Sequence, residues 1–383
     1  MKIVSMGGGT GLSTLLKGLK SYIRGDWKSD LLEIVLEKAS GESALTVTDL
    51  TAVVTVSDDG GSSGRLRREF QVLPPGDIRN CMVALSEDEA LLSRLFQFRF
   101  TSGAGLKGHS FGNLFLTALT GITGDFQEAV KVSGEVLAIR GSIVPSTMTN
   151  VRLEAVLDDG RVVRGETKIS RSLRRIRRIR LQPARCRPMP QTLAAIQQAD
   201  AITLGPGSLY TSLIPNLLVR GVSAAIRNSS AARIYVCNLM TQPGETTHFS
   251  AADHLRAIYE HCGGPLFDYV LVNAARISPA ARKRYQTQKS QPVAVDREEL
   301  ERLGVEVVEG DFVAEKRSGP SAGRWVRHHS DRLAQAVLEV AASHRYWKSP
   351  SGQAGAEPQD VLAGAARRGP GTKTAGSLRP PIR

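Results

Sequence analysis

Four glycine-rich polar turns constrain the fold of this 383-residue chain more than any other feature. They occupy residues 7–11 (GGGTG), 58–64 (DDGGSSG), 108–113 (GHSFGN) and 204–211 (LGPGSLYT). The first, second and fourth follow short apolar, β-rich runs, and all but the second open into a clear helical pattern. Glycine lets the backbone approach a ligand, and a helix N-terminus adds the positive end of its dipole. The turns therefore predict a crevice for a large ligand with several phosphate or hydroxyl oxygens.

The alternation of apolar runs predicts an α/β fold, a Rossmann-like, doubly wound and mostly parallel sheet. Predicted strands cover 2–5, 51–56, 201–204, 234–237 and 269–272, and predicted helices cover 10–19, 78–85, 90–98, 110–120, 251–261 and 331–343. Ligands of such sheets bind at the carboxyl ends of the strands. We therefore expect all four turns to share one crevice.

The predicted domain spans 1–345 and carries an insertion at 24–48. Residues 149–187 read as a small inserted β excursion, because an alternating run, an Asp-Asp-Gly turn and a second β-branched run predict a hairpin. Residues 349–383 are rich in Gly, Pro, Ala and Arg, which predicts a disordered basic tail.

The net charge of +13 is localised in the chain. Residues 161–187 hold ten arginines and one lysine against one glutamate. The densest part, Arg171–Arg180, predicts either a solvated face or a contact with a protein partner or anionic surface, outside the glycine turns and without an acid to pair with. Nucleic acid is not favoured, since no aromatic residue interleaves the arginines for base stacking.

The cysteines and the hydropathy pattern favour a cytoplasmic protein. No C-x-x-C pair exists, so neither a zinc site nor a disulfide framework is indicated. No apolar run is long enough for a membrane span, and the apolar run at residues 1–6 is too short for the hydrophobic region of a signal peptide.

The first turn matches neither common nucleotide motif. The third glycine of the dinucleotide fingerprint would fall at Leu12 or Thr14, and no Gly-Lys-Ser/Thr follows as in a Walker loop. Its position after a first strand favours phosphate binding over a tight turn without a ligand. The candidate contacts are Gly8, Gly9, Thr10 and Gly11.

The second turn combines acids with small hydroxyl residues. Asp58 and Asp59 are candidates to hold Mg²⁺ through oxygen ligands or to accept sugar hydroxyls. The alternative is an Asx turn, in which one of the two aspartates is only a cap. The candidate phosphate contacts are Gly60, Ser62, Ser63 and Arg65.

The remaining candidates lie at helix starts and in polar loops. Asp77 is either a plain N-cap or a ligand contact, and His109 is either a structural hydrogen-bonder or an anion-binding or proton-transferring group. The fourth turn offers glycines and hydroxyls as a diphosphate cradle. The other candidates are Asn80, Asn113, Gly205, Gly207, Ser208, Thr211, Asn238 and Thr241.

Six motifs in order resemble one family. The segments 6–13, 58–67, 75–80, 108–113, 205–212 and 237–246 closely resemble the gluconeogenesis factor family (YvcK-like), which is related to the phospholactate transferase of deazaflavin cofactor synthesis (CofD-like). The resemblance runs from Lys2 to about Ser343, apart from the insertion and the arginine-dense stretch.

The resemblance implies a cytoplasmic protein that binds UDP-sugars, notably UDP-N-acetylglucosamine, and regulates cell shape and wall-precursor metabolism during gluconeogenic growth. Catalysis stays open, and the alternative is a phospholactate-transferase-like enzyme that uses Asp58 or Asp59 with Mg²⁺. The resemblance adds Tyr285 and Arg327 as sugar-nucleotide contacts. The family usually reads Arg-His-Asp where this chain has Arg327–Ser330 (RHHS), and Ser330 falls where some members carry a phosphorylatable hydroxyl.

Overall fold

The computed structural model describes residues 1–23, 45–87, 91–317 and 324–348. Most of the predicted insertion, and the whole predicted tail, lie outside these residues. Within them, the strands are β1 Lys2–Gly7, β2 Asp49–Val54, β3 Ser142–Pro145, β4 Arg152–Leu157, β5 Val162–Arg164, β6 Ile176–Gln182, β7 Ala201–Leu204, β8 Ala232–Val236, β9 Tyr269–Asn273, β10 Glu306–Gly310, β11 Val313–Arg317 and β12 Arg324–His328.

The α-helices of the described residues flank these strands. They are α1 Gly9–Lys20, α2 Gly61–Phe70, α3 Gly76–Leu85, α4 Leu91–Gln97, α5 Phe111–Thr123, α6 Phe126–Val136, α7 Glu166–Arg171, α8 Pro190–Gln198, α9 Ile214–Leu218, α10 Val222–Arg227, α11 Ala251–Cys262, α12 Pro279–Thr287, α13 Arg297–Arg302 and α14 Ser330–Lys348. A π-helical turn, Leu209–Leu213, precedes α9.

Seven parallel strands form the central sheet in the order β10-β9-β8-β7-β1-β2-β3. The residues of the inner strands are buried almost without interruption, as in β1 and β7, because helices cover both faces, whereas the edge strand β10 is partly exposed. The chain moves outward from β1 through β2 to β3, then returns to pair β7 with the other side of β1. This arrangement confirms the predicted doubly wound sheet and puts its switch point between β1 and β7.

Helix α1 packs between α3 and α14. Its leucines at helical spacing are fully buried, as the sequence pattern predicts. Gly18 lets the start of α14 approach, since a Cβ at this residue would lie 2.1 Å from the carbonyl oxygen of Ser330. The junction between β12 and α14 is thereby held along the flank of α1.

A small antiparallel sheet with the order β5-β4-β6 confirms the predicted β excursion. The strands β11 and β12 pair separately as an antiparallel hairpin. In the described part of the chain, no helix is long and apolar enough to cross a membrane.

The second glycine turn opens directly into α2, although its sequence shows no clear helical pattern. The helix buries a single large apolar side chain, Leu66, together with Arg67 and three small residues. Gly64 packs so tightly that a Cβ there would lie 1.9 Å from the carbonyl oxygen of Asp59. Close backbone packing, and not an apolar stripe, stabilises this helix, which is why periodicity misses it.

Candidate functional site

The first, second and fourth turns meet at the carboxyl ends of β1, β2 and β7. A Cβ at Gly11 would lie 2.2 Å from the carbonyl oxygen of Pro206, so the first and fourth turns touch through their backbones. A Cβ at Gly8 would lie 2.6 Å from Thr55 Cγ2 and 2.7 Å from Asp77 Oδ2. We call this region the glycine crevice: residues 7–11, 58–64 and 205–212, with the start of α3.

The fourth turn is fixed by side chains from the loop after β8. Asn238 accepts a hydrogen bond from the Gly207 N–H at 3.2 Å and donates one to the Gly207 carbonyl at 2.8 Å. Gln242 donates to Ser208 Oγ at 2.9 Å. Gly205 adopts a φ of +88°, which favours glycine. Asn238 therefore positions the turn, and the Gly207 N–H is already engaged.

A buried carboxylate, Glu245, holds the π-helical turn. It accepts hydrogen bonds from the Tyr210 N–H and from Thr211 Oγ, each at 3.2 Å. Burial raises the pKa of Glu245 to about 7. Thr241 is also buried, and its hydroxyl oxygen accepts the Gln291 N–H at 3.0 Å. Sequence patterns alone assign no role to Glu245; its signal is that it is the only acid in the polar loop 237–247.

The two adjacent aspartates have different roles. Asp58 Oδ1 accepts the Gly60 N–H at 2.8 Å, which is an Asx turn. Asp59 Oδ1 accepts both the N–H and the hydroxyl of Thr167, at 2.9 and 2.8 Å, in the first turn of α7. Asp59 is thus the aspartate that caps a helix, and Asp58 is the one beside the first residues of α3.

Among the described residues, no group of three or more His, Cys, Asp or Glu side chains is arranged to hold a metal ion. A magnesium ion at Asp58 would therefore take most of its oxygen ligands from water and from the bound ligand, as Mg²⁺ commonly does.

The third turn lies against α2 and does not follow a strand of the sheet. Ser62 Oγ is 3.0 Å from His109 Nδ1, and Asn113 donates to Ser63 Oγ at 3.3 Å. Arg65 donates to the Lys107 carbonyl at 2.9 Å. His109 and Asn113 are both buried, and burial lowers the pKa of His109. This turn therefore braces the second turn from behind.

Asp77 is not the N-cap of α3, because Pro75 holds that position and Asp77 lies inside the first turn of the helix. Its carboxyl group instead lies against the first glycine turn, where a Cβ at Gly8 would be 2.7 Å from Asp77 Oδ2. Burial, and next the charge of Asp58, raises the pKa of Asp77 to about 7. Burial and Asp58 also raise the pKa of Glu166. An anionic ligand in the glycine crevice therefore meets carboxyl groups that must be protonated or neutralised.

Asp77→Asn is expected to flatten the pH dependence of stability. The Asp77 pKa is about 7 in the folded state against a reference of 3.8, so the folded state binds more protons between these values. The free energy of unfolding then falls as pH rises, by up to about 1.4 kcal/mol per unit from this one group. Urea unfolding at about pH 5 and about pH 8 should show wild type losing about 2.6 kcal/mol more than the variant.

Asp49→Asn, at an exposed aspartate, is the matched control for this measurement. Parallel pH curves for wild type and Asp77→Asn would contradict the assigned environment of Asp77.

A cleft of about 860 Å³ begins at Thr10 and runs along α1, between α3 and the β12–α14 junction. Asn80 and Arg327 line this α1–β12 cleft together with Arg79. Arg79 donates to Ser110 Oγ at 2.6 Å and to Asn80 Oδ1 at 2.7 Å, so it links the cleft wall to the third turn. The structure therefore brings Thr10, Asn80 and Arg327 to one cavity.

Tyr285 lies in a buried apolar cluster behind β12. Its hydroxyl oxygen accepts the Val326 N–H at 3.2 Å and is 3.4 Å from the Val326 carbonyl oxygen. His328 fixes the same strand from its other end, since its Nε2 lies 3.1 Å from the Cys237 carbonyl, and burial lowers its pKa to about 4. Tyr285 thus supports the strand that presents Arg327. Ser330 Oγ donates to Asp331 at 3.0 Å.

A second cleft, of about 520 Å³, lies at the carboxyl ends of β8 and β9. Asn238 lines it, together with Arg276 and Arg282 near the start of α12. The α1–β12 cleft and this β8–β9 cleft are both adjacent to residues that anchor β12.

These features define a doubly wound α/β protein with a glycine-lined crevice at the topological switch point. A sequence profile described as 2-phospho-L-lactate transferase CofD matches residues 3–313. The chain belongs to the CofD family, among relatives named gluconeogenesis factor.

Individual relatives agree with this assignment. The gluconeogenesis factor of Bacillus subtilis is 43% identical, over 88% of this chain and 98% of its own length. A relative from Nostoc is 50% identical, over 88% of this chain and 68% of its own length. The crystal structure of a Bacillus halodurans protein, 43% identical, superposes with a TM-score of 0.79 and covers 88% of this chain and 99% of that one.

Proposed function

We propose that this protein binds a UDP-sugar, UDP-N-acetylglucosamine in particular, and acts as a cytoplasmic regulator. The observation that carries the proposal is the meeting of three glycine turns where the strand order reverses, next to a cleft that leads from Thr10 to Arg327. Helix N-termini and glycine backbones suit a diphosphate, and an arginine in the adjoining cleft suits an oxygen-rich sugar or its phosphate.

The proposed cellular role follows from the relatives. Proteins of similar sequence are called gluconeogenesis factors. A regulator that binds a wall-precursor nucleotide sugar can couple carbon supply to cell-wall synthesis. We propose that this protein supports cell morphogenesis during gluconeogenic growth. The bound nucleotide sugar would shift the protein between a liganded and an unliganded state, and only one of them would be active.

A transferase is the second candidate, favoured by the match to the phospholactate transferase profile and by the carboxyl groups of Asp58 and Asp77 at the crevice. In such a reaction, an acceptor hydroxyl attacks phosphorus, its proton passes to a base, and a nucleoside monophosphate leaves. Bound Mg²⁺ would supply charge neutralisation at the diphosphate. Asp58 is the residue that fits this role, because Asp59 is engaged with Thr167.

UDP-N-acetylglucosamine is expected to raise the melting temperature more than NAD does. The glycine spacing departs from the dinucleotide fingerprint, since Leu12 or Thr14 stands where the third glycine would be. A ligand at about 100 times its Kd stabilises the native state by about 2.7 kcal/mol, which a thermal-shift assay detects. Equal or larger stabilisation by NAD would contradict the proposal.

Measuring both binding and turnover with and without Mg²⁺ separates the two candidates. A regulator binds the nucleotide sugar without metal-dependent turnover. Release of nucleoside monophosphate from a phospholactyl nucleotide donor, dependent on Mg²⁺ and lost in Asp58→Asn, would instead favour the transferase.

A further inference from the structure

The basic stretch 171–180 runs from the end of α7 into β6, which is an edge strand of the small antiparallel sheet. The pairing of β6 with β4 is irregular, since Val156 lies opposite Arg178 while Leu157 lies opposite Ile176. Arg177 is therefore the extra residue of a β-bulge, and Arg177 and Arg178 are both exposed. The bulge concentrates positive charge on one side of the strand.

Most arginines of this stretch lack an ion pair with the described residues. The sequence predicts no acidic partner for these arginines, but Arg174 does form an ion pair, at 3.5 Å from Asp159. Besides Arg171, which also forms none, four exposed arginines form no ion pair within the described ranges: Arg175, Arg177, Arg178 and Arg180. So dense a set of like charges favours an anionic partner.

These arginines line an open groove between β6 and α11. A cleft of about 900 Å³ is lined by Arg175, Arg177, Phe249 and Glu260, and an adjoining one of about 440 Å³ adds Arg178 and Arg180. Arg177 and Glu260 line both, so we treat them as one arginine cleft. Tyr210 of the fourth turn also lines it, so the basic stretch is closer to the glycine turns than the sequence predicts.

One outward backbone N–H of β6 is already occupied at this cleft. The Ile179 N–H donates to His261 Nε2 at 2.9 Å, and His261 Nδ1 lies 2.6 Å from the Ala257 carbonyl of α11. Because this outward N–H is already bonded, a partner cannot extend the sheet through it. Recognition must use the arginine side chains.

We propose that the arginine cleft binds an acidic segment of a partner protein. Carboxylates of such a segment complement the unpaired arginines through charge-assisted hydrogen bonds. Leu173, which is 73% exposed, lines the same cleft and suits an apolar side chain between the acids. An acidic peptide with interspersed apolar residues fits both features.

Nucleic acid fits this cleft less well for two reasons. Asp158 and Glu260 also line it, and an unbroken phosphate backbone would meet these like charges, whereas a peptide can alternate its charges. The Arg175 guanidinium lies 6.0 Å from the ring centroid of Phe249, so it covers the aromatic face that a base would need.

Fluorescence anisotropy tests the proposal with a labelled peptide in which pairs of Glu alternate with single Leu residues. The variant Arg175→Gln/Arg177→Gln/Arg178→Gln should weaken peptide binding by about tenfold or more. The matched control, Arg185→Gln/Arg187→Gln/Arg220→Gln, removes the same charge from exposed positions outside the cleft lining and should change binding less than about twofold.

Glu260→Lys provides a gain-of-function test that does not depend on a loss. It replaces an exposed negative charge of the cleft, which repels the acidic peptide, with a positive one. Peptide binding should therefore strengthen by about threefold or more. Equal weakening by both triple variants, tighter binding of oligothymidine than of the peptide, or no peptide binding by wild type would each overturn the proposal.

Discussion

Gly11→Ala is expected to abolish UDP-N-acetylglucosamine binding while the sheet stays folded. A Cβ at residue 11 would lie 2.2 Å from the Pro206 carbonyl oxygen and 2.6 Å from its carbon. Because both atoms belong to the backbone, the clash is relieved only by moving the first turn away from the fourth. Calorimetry should show affinity falling by at least about 100-fold, about 2.7 kcal/mol.

Gly121→Ala is the matched control for this substitution. Gly121 lies within α5, and a Cβ there would meet no heavy atom within 4 Å. Alanine favours the helix, and Gly121 lies outside the glycine crevice, so neither folding nor ligand affinity should be impaired. A second test, Gly9→Val, places a branched side chain at a φ of +63° in the same turn. Wild-type affinity in folded Gly11→Ala and Gly9→Val variants would refute a diphosphate site in the glycine crevice.

Short-range patterns explain which parts of the fold the sequence could predict. The strand at 201–204 has the predicted bounds because its apolar run is bounded on both sides by polar residues or a turn. The leucines of α1 repeat at helical spacing, so its core face is readable. In contrast, α2 is stabilised by close packing of Gly64 on the preceding turn, and such packing leaves no periodic signal.

The candidate site depends on contacts between distant residues, which a single sequence does not encode in a readable form. Asp77 has the residue type and the position of a helix cap, yet its carboxyl group lies against Gly8 of the first turn. Asn238 reads as a ligand contact, yet it bonds both polar groups of Gly207. Glu245 supports the π-helical turn only because the fold buries it beside Tyr210 and Thr211. Sequence reasoning finds the polar residues near the crevice but cannot separate those that bind from those that support.

Two arginines distinguish the two cavities that are candidates for the proposed sugar nucleotide. Arg327 lines the α1–β12 cleft that begins at Thr10, whereas Arg282 lines the β8–β9 cleft. A ligand whose diphosphate binds at the start of α1 reaches the first of these cavities directly. We therefore expect the ligand to contact Arg327 and not Arg282.

Arg327→Gln should weaken UDP-N-acetylglucosamine binding by about tenfold or more, since a charge-assisted hydrogen bond contributes about 1.5–3 kcal/mol. Arg282→Gln removes the same charge and should change affinity less than about twofold. Tyr285→Phe tests the supporting strand, because losing its bond to the Val326 N–H should lower stability more than affinity. Calorimetry and urea unfolding on the three variants measure these effects. A larger loss of affinity in Arg282→Gln than in Arg327→Gln would move the ligand to the β8–β9 cleft and contradict the proposed path from Thr10 to Arg327.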